Sequence, residues 1–192
     1  MSTAVEADKD KLRTAVLAAR ARRSTEERTR AAEAIALHAA SLPPLVRARR
    51  VAAYLSMSTE PGTGPLLRWC VERGVEVLVP VSSPDRTMAW VRWHPGRVEV
   101  GALGVPEPVG EPHPEGLGGC EVAVVPALAI DHVGHRLGRG AGYYDRALAD
   151  FTGLVCALVF DEELVPAVPH LPHDRSVDLV IAPGGVFRPE RD

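Results

Sequence analysis

The stretch from 124 to 148 constrains this chain more than any other. It opens with the end of an apolar run, Glu121 to Leu128, broken by Pro126. It passes Asp131 and enters a loop holding Gly134, Gly138, Gly140 and Gly142. It closes on Tyr143, Tyr144, Asp145, Arg146 and Leu148, which read as the start of a helix. A strand, a glycine loop and a helix in that order belong to an α/β chain. Glycine at every second position lets the backbone approach a bulky anion and take positive φ at little cost. The N–H groups of a first helical turn are unpaired, so a phosphate can accept from them. Arg136 and Arg139 add forked donors suited to phosphate oxygens. Asp145, one or two residues into the helix, can hold Mg²⁺ against those phosphates. Residue type alone leaves two readings open, a phosphate loop and a plain surface turn. The loop is not a Walker A element, since no G-K-[ST] follows. It is not the dinucleotide fingerprint either, since the strand does not lead straight into the glycines.

The remaining segments frame that loop. Residues 6–22 have Leu12, Ala15, Val16 and Ala19 at helical spacing. Lys9 and Arg13 lie four apart on one face beside that stripe, and taken alone they read as a solvated basic pair. Ser24 and Glu27 form a capping box for a second helix, running to about Ser41 and ended by Pro43 and Pro44. Its His38 reads as a boundary residue. Val51 to Leu55 is an apolar strand, and Glu60 to Thr63 is a loop in which Thr63 can cap a helix over 64–73 that Gly74 stops. Val75 to Val79 is the next strand, so the unit is a parallel pair with a right-handed crossover. Glu60 then lies just past a strand's carboxyl end, where open α/β sheets place ligands. Thr87 to Trp93 reads as an edge strand, with Val98 to Val100 returning, and Trp90 and Trp93 read as core. Leu154 to Phe160 is another buried strand.

Composition removes several classes. At 192 residues and 46% hydrophobic, the chain suits one domain with a real core. A net charge of −3 argues against coating nucleic acid. There is no apolar run of about 18 residues to span a membrane. The acidic N-terminus, with Glu6, Asp8 and Asp10, lacks the apolar stretch of a signal peptide. Cys70, Cys120 and Cys156 are far apart and lie in or beside apolar segments, so they read as reduced core residues of a cytoplasmic protein.

The strings VVPALAID and RLGRGAGYYD closely resemble the signature of the 5-formyltetrahydrofolate cyclo-ligase family, P-x-L-A-F-D followed by G-x-R-L-G-x-G-x-G-Y-Y-D. Ile130 replaces the usual aromatic, and Ala141 stands where many members carry Gly and some Lys. Lys9, Leu12 and Arg13 fit the family's K-x-x-L-R, in which the Lys and Arg contact the nucleotide; Lys11 has no match. Leu55, Met57 and Glu60 match a segment whose Glu contacts the pterin side of the folate. GALGVPEP, 101–108, resembles another family segment. Asp174 and Asp178 match D-x-x-V-D, whose first acid helps hold magnesium.

The resemblance implies a set of roles. ATP would be bound by Lys9, Arg13, Arg136, Leu137, Gly138, Arg139, Gly140, Ala141, Gly142, Tyr143 and Tyr144. The folate would be bound by Leu55, Met57, Glu60, Arg139, Gly140, Ala141, Gly142 and Tyr143. Asp145 and Asp174 would hold Mg²⁺, and Arg136, Tyr143 and Asp145 would be catalytic. His132, His135, His170, His173 and Asp174 allow a zinc set by residue type, but no C-x₂-C or HExxH spacing supports one. The hard-oxygen pair suits Mg²⁺ better.

The expected fold is one α/β domain over 1–192. A helical pair at about 6–42 precedes a mostly parallel sheet (51–55, 75–80, 121–126, 154–160, 177–182). Helices cover both faces, and 87–100 forms an antiparallel edge, as in sugar-phosphate isomerase and CoA-transferase-like folds. The implied activity is ATP- and Mg²⁺-dependent cyclisation of 5-formyltetrahydrofolate to 5,10-methenyltetrahydrofolate, by a cytoplasmic monomer with neither nucleic-acid nor membrane partners. Two alternatives stand beside it: an isomerase or CoA-transferase-like enzyme that works without ATP, and a folate- or nucleotide-binding homologue that does not turn over.

Overall fold

The structure, a computed structural model, describes residues 2–171 and 174–190. Helix α1 (Ser2–Ala21) is followed by α2 (Thr25–Ala40), whose Ser24 and Glu27 close the capping box in both directions. Pro43 and Pro44 end that helix but also begin another, α3 (Pro43–Arg47). The first helical position needs no N–H, so proline starts a helix as readily as it stops one. Then come β1 (Arg50–Ala52), α4 (Gly64–Glu72), β2 (Glu76–Ser82) and β3 (Met88–Arg92). Next are β4 (Val98–Val100), β5 (Pro106–Pro108), β6 (Val122–Pro126), β7 (Ala129–Ile130) and β8 (Arg136–Leu137). The chain ends with α5 (Tyr143–Ala147), β9 (Leu154–Leu158), β10 (Leu179–Ala182) and β11 (Gly185–Phe187).

The main sheet runs in the order β11-β10-β9-β6-β1-β2-β3. Its interior strands β10, β9, β6, β1 and β2 are parallel, with Val51 opposite both Val77 and Val122. β3 closes one edge antiparallel, and β11 closes the other the same way. The second antiparallel edge is an addition to the expectation. The first is shorter than expected, because 98–100 does not return to the sheet. β4 pairs instead with β5 in a separate ribbon. Val98, Glu99 and Val100 are all exposed, so nothing draws them to the core. Pro106 and Pro108, lacking N–H groups, cannot extend a ladder on both sides.

The two faces of the sheet carry different covers. Val51, Val77, Val79, Val124 and Ile181 pack under Ile35 and Ala39 of α2, Leu45 of α3, and Leu66, Leu67 and Cys70 of α4. The opposite face, with Ala52, Leu78, Ala123, Val125 and Ala157, takes Trp90, Leu117, Leu148 and Phe151, with Tyr144 and Ala147 of α5 against them. The two tryptophans, three apart on or just after an edge strand, are both buried, one on each face. The cysteines are free and buried, and burial pushes their thiols up to about 12. Helix α1 is not part of either layer. Its Leu12 and Val16 lie on Leu128, Ala129 and Leu137 of the β7–β8 hairpin. That seat carries Lys9 and Arg13 to the carboxyl ends of the strands.

Candidate active site

The strand order reverses between β1 and β6: the chain leaves β1 for β2 on one side and β6 for β9 on the other. Ligands of open α/β sheets bind beyond the carboxyl ends at such a switch point. A cavity of about 370 Å³ lies there. Its walls come from α1, the segment after β1, the segment after β6, the glycine loop with α5, Asp174, and Leu103 and Val105 at the tip of the β4–β5 ribbon. All the residues assigned above to ATP, folate and magnesium line this one cavity, although Lys9 and Asp174 are 165 positions apart.

The glycine loop owes its path to its glycines. Gly140 and Gly142 have φ of 97° and 72°, in the left-handed region that other residues avoid. Gly142 stands at the N-cap of α5, which has only five residues, so the loop amides rather than a long helix would face an anion. Ala141 between them has no positive φ; outside glycine, only Arg86 does among the described residues. Ile130, the other departure from the family pattern, is fully buried in the core and paired with Arg136 across β7–β8. Asp131 belongs to the signature but not to the cavity wall. It accepts from the N–H groups of Val133 (3.2 Å), His135 (2.9 Å) and Val168 (3.0 Å), and its other contact is the His135 ring at 3.0 Å. Burial works against its charge, but those donors win and hold its carboxyl below the usual range. It fastens the loop from behind.

The charged groups in the cavity are paired with one another. Lys9 Nζ donates to Asp174 Oδ2 at 2.6 Å, and Asp174 also accepts from the Leu171 N–H at 2.8 Å. Arg136 Nη2 donates to Asp145 Oδ1 at 2.5 Å and Nη1 to the Pro126 carbonyl at 3.3 Å, while its buried Nε has no partner. Arg139 Nε reaches Glu60 Oε1 at 3.1 Å, and Glu60 Oε2 accepts from the Met57 N–H at 2.9 Å. Glu60 is buried, unlike an ordinary loop carboxylate. Arg13 Nε donates to the Gly138 carbonyl at 3.1 Å, which ties α1 to the loop. Tyr143 Oη donates a hydrogen bond to the Ser83 carbonyl at 2.7 Å. Thr63 makes no capping hydrogen bond; its hydroxyl accepts from the Ser56 N–H at 3.2 Å instead and closes the 56–63 loop around Glu60. Lys11 is exposed beside Asp8.

Among the described residues, the histidines do not form a metal set. His132 faces the Pro166 carbonyl and His135 faces Asp131, with the His135 ring stacked 3.5 Å from that of His170. His173 lies outside the described residues. Asp145 and Asp174, which both line the cavity, are of the hard-oxygen type that would suit Mg²⁺ together with waters and phosphate oxygens.

Residues 5–183 match the sequence model of the 5-formyltetrahydrofolate cyclo-ligase family. The chain belongs to that family. It is 40% identical over 186 residues to the 5-formyltetrahydrofolate cyclo-ligase of Mycolicibacterium smegmatis, covering 91% of this chain and 93% of the relative. The Escherichia coli K12 enzyme of the same name is 31% identical over 76% of this chain and 84% of its own. Among solved structures, Aquifex aeolicus 5,10-methenyltetrahydrofolate synthetase superposes with a TM-score of 0.82 at 32% identity, over 96% of this chain and 94% of that one. The Mycoplasma pneumoniae synthetase shares the fold, with a TM-score of 0.71 at 20% identity over 91% and 98% of the two chains. Family membership sets aside the isomerase and CoA-transferase readings.

Several wall residues escaped the sequence reading. Arg20 is seven positions after Arg13 on α1, so helical spacing alone would have placed it on the same face. Tyr54 directly precedes Leu55 and reads as the end of a buried strand. Leu103 and Val105 lie in the 101–108 segment, where no chemistry was visible.

Proposed function

We infer that this member of the family catalyses the ATP-dependent closure of 5-formyltetrahydrofolate to 5,10-methenyltetrahydrofolate, with release of ADP and phosphate. The observation that carries the reading is the single cavity in which the glycine-loop cations, two hard-oxygen carboxylates and the buried Glu60 meet. An N-formyl amide is a poor electrophile. Transfer of the γ-phosphoryl group to the formyl oxygen makes that oxygen a leaving group and expels ADP. N10 then attacks the formyl carbon and loses its proton, and phosphate departs to leave the methenyl bridge. No covalent link to the protein is needed, so the protein's part is positioning and charge neutralisation.

In this reading Lys9, Arg13, Arg136 and the glycine-loop amides take the phosphates. Asp145 and Asp174 would hold Mg²⁺, which would neutralise developing phosphate charge. Arg136 and Lys9, now paired with those two carboxylates, are the cations placed to turn to phosphate oxygens. Glu60, Leu55, Met57 and Tyr143 orient the folate. We also read the protein as a cytoplasmic monomer acting on small molecules, a setting that suits three buried free thiols and a charge of −3. No described helix is long and apolar enough to cross a membrane. The decisive measurement is ATP hydrolysis with and without 5-formyltetrahydrofolate, alongside methenyl product. Hydrolysis that requires the folate and matches product one for one is expected. Folate-independent hydrolysis, or folate binding with no product, would overturn the reading.

A further inference from the structure

Helix α1 brings a third charged group to the cavity wall beside Lys9 and Arg13. Glu6 lines the cavity and lies three and seven positions before them, on the same helical face. Its Oε1 is 3.6 Å from Lys9 Nζ and its Oε2 is 3.8 Å from Arg13 Nη1, one oxygen toward each cation. Both distances are too long for hydrogen bonds. Lys9 gives its short bond to Asp174, and Arg13 Nη1 gives its own to Asp10 at 2.5 Å. Among the described residues, no hydrogen bond reaches the Glu6 carboxylate, and its side chain is 47% exposed. On an open surface such a carboxylate is the ordinary solvated partner of a basic pair. Beside a triphosphate it is a cost, because it repels the ligand that the two cations attract. The cost is offset if the same ligand carries an uncharged group that donates to both oxygens.

Exposure along this face gives the direction. The Lys9 and Arg13 side chains are 8% and 15% exposed, against 47% for Glu6. With phosphates on the two buried cations, the part of the nucleotide joined to them lies toward the open side, where Glu6 is. That part is the ribose. Its 2′- and 3′-hydroxyls are two uncharged donors set side by side, as the two oxygens of a carboxylate are, and carboxylates hold ribose hydroxyls in this way in dinucleotide folds. The adenine edge is a poorer complement. Ring nitrogens that only accept flank its 6-amino group, so one carboxylate oxygen would meet a lone pair. A metal ion shared by Glu6 and Asp174 is poorer too. Lys9 Nζ lies 2.6 Å from Asp174 and 3.6 Å from Glu6, so the ammonium already takes that place. We propose that Glu6 accepts hydrogen bonds from the ribose diol of the bound nucleotide and makes the protein selective for ribonucleoside triphosphates. The inference rests on the reading that Lys9 and Arg13 take the phosphates.

The test compares wild type, Glu6→Ala and Glu6→Gln with four nucleotides: ATP, 2′-deoxy-ATP, 3′-deoxy-ATP and inosine triphosphate, which lacks the 6-amino group. Methenyl product is followed with 5-formyltetrahydrofolate saturating, and kcat/KM is obtained for each nucleotide at high and at limiting Mg²⁺. The wild type should favour ATP over either deoxy nucleotide by about tenfold. Glu6→Ala should shrink that preference at least threefold, and Glu6→Gln, which keeps one acceptor, should fall between the two. Loss of the negative charge shifts KM for all four nucleotides together, so the ratios are free of it. The ratio of ATP to inosine triphosphate, the KM for folate and the melting temperature should stay close to wild type. A preference that is absent from the wild type, or that survives Glu6→Ala, overturns the proposal. So does a change confined to the inosine triphosphate ratio, which would turn Glu6 toward the base, or one confined to the Mg²⁺ requirement, which would make it a metal ligand. A wild type that forms product with none of the four overturns the ATP reading itself and the ribose role with it, and that result is distinct from turnover without ribose preference.

Discussion

Arg20 and Arg136 line the same cavity, each paired with a carboxylate and each with a side chain almost fully withdrawn from water. Arg20 lies in the last turn of α1. Its Nε and Nη2 grip both oxygens of Glu163 at 2.7 Å, and Nη2 also donates to the Ala127 carbonyl at 2.6 Å. Glu163 is equally buried and accepts from the Phe160 N–H as well. Arg136 sits behind the glycine loop. It makes one short bond to Asp145 and a long one to a carbonyl, and it leaves Nε unpaired. The Asp145 side chain is 30% exposed, against 6% for Glu163. One pair is closed by two parallel bonds with both side chains buried, so any exchange would strand a buried charge. The other is held by one short bond and is reachable, which suits the proposed exchange of its partners for a phosphate oxygen and a metal ion. In that reading the same chemistry is a rivet in one place and a displaceable plug in the other.

The strongest way to break that comparison is to remove the rivet. Arg20→Ala leaves Glu163 buried without its cation and should cost about 3–5 kcal/mol of stability. It would be read as a large fall in the denaturation midpoint, with the KM for ATP of the remaining folded protein unchanged. If the KM for ATP rises tenfold while stability holds, Arg20 is a ligand-binding residue and the distinction fails. Removal of α1 as a whole is a poorer test of nucleotide binding, because it strands Glu163 at the same time.

Asp145→Asn attacks the plug. The amide keeps the shape and can still accept from Arg136, but it gives up the negative charge. Turnover should fall on the order of a hundredfold or more, with folate affinity within twofold and little loss of stability. Near-wild-type turnover at limiting Mg²⁺ would end the metal assignment of Asp145.

How much of this was legible in the sequence differs with the kind of feature. The parallel strands were, because a run such as Val122–Pro126 is apolar at successive positions, as strands buried on both faces must be. The capping box at Ser24 was, because it is local. The β7–β8 hairpin has two residues per strand and no periodicity to detect. The β4–β5 ribbon is held by pairing alone, with its valines in solvent. Arg20 and Glu163 are 143 positions apart, and no local pattern predicts that a helix arginine will turn inward. The cavity's polar set was found through the family signature, not through spacing. Asp131 shows the limit of that route, since it is in the signature and yet fastens the loop from outside the cavity.

Lys9→Ala and Arg13→Ala sharpen the same contrast more gently. Each should raise the KM for ATP by the equivalent of about 1.5–3 kcal/mol of charge-assisted bonding, with the KM for folate nearly unmoved. Steady-state kinetics with each substrate varied in turn decides it. A change confined to the folate KM would move α1 to the other side of the cavity.

The smallest expected effect is at Ala141, between two glycines that need positive φ. Ala141 itself does not, and it is exposed, with its carbonyl accepting from Arg146 Nη1 at 3.4 Å. An alanine with ordinary φ imposes no strain, so Ala141→Gly has nothing to relieve. It should instead loosen the unfolded chain and cost about 0.4–1 kcal/mol of stability, with turnover within twofold. Ala141→Lys adds a charge to a loop already carrying Arg136 and Arg139. At an exposed position that is worth about 0.2–1 kcal/mol, a modest fall in the KM for ATP that weakens as salt is raised. Product formation and thermal melts of the three proteins settle the matter. If Ala141→Gly raises turnover and stability together, the loop is strained at 141 and works with a positive φ there. If product forms only after that substitution, the chain has the architecture of its family without the activity.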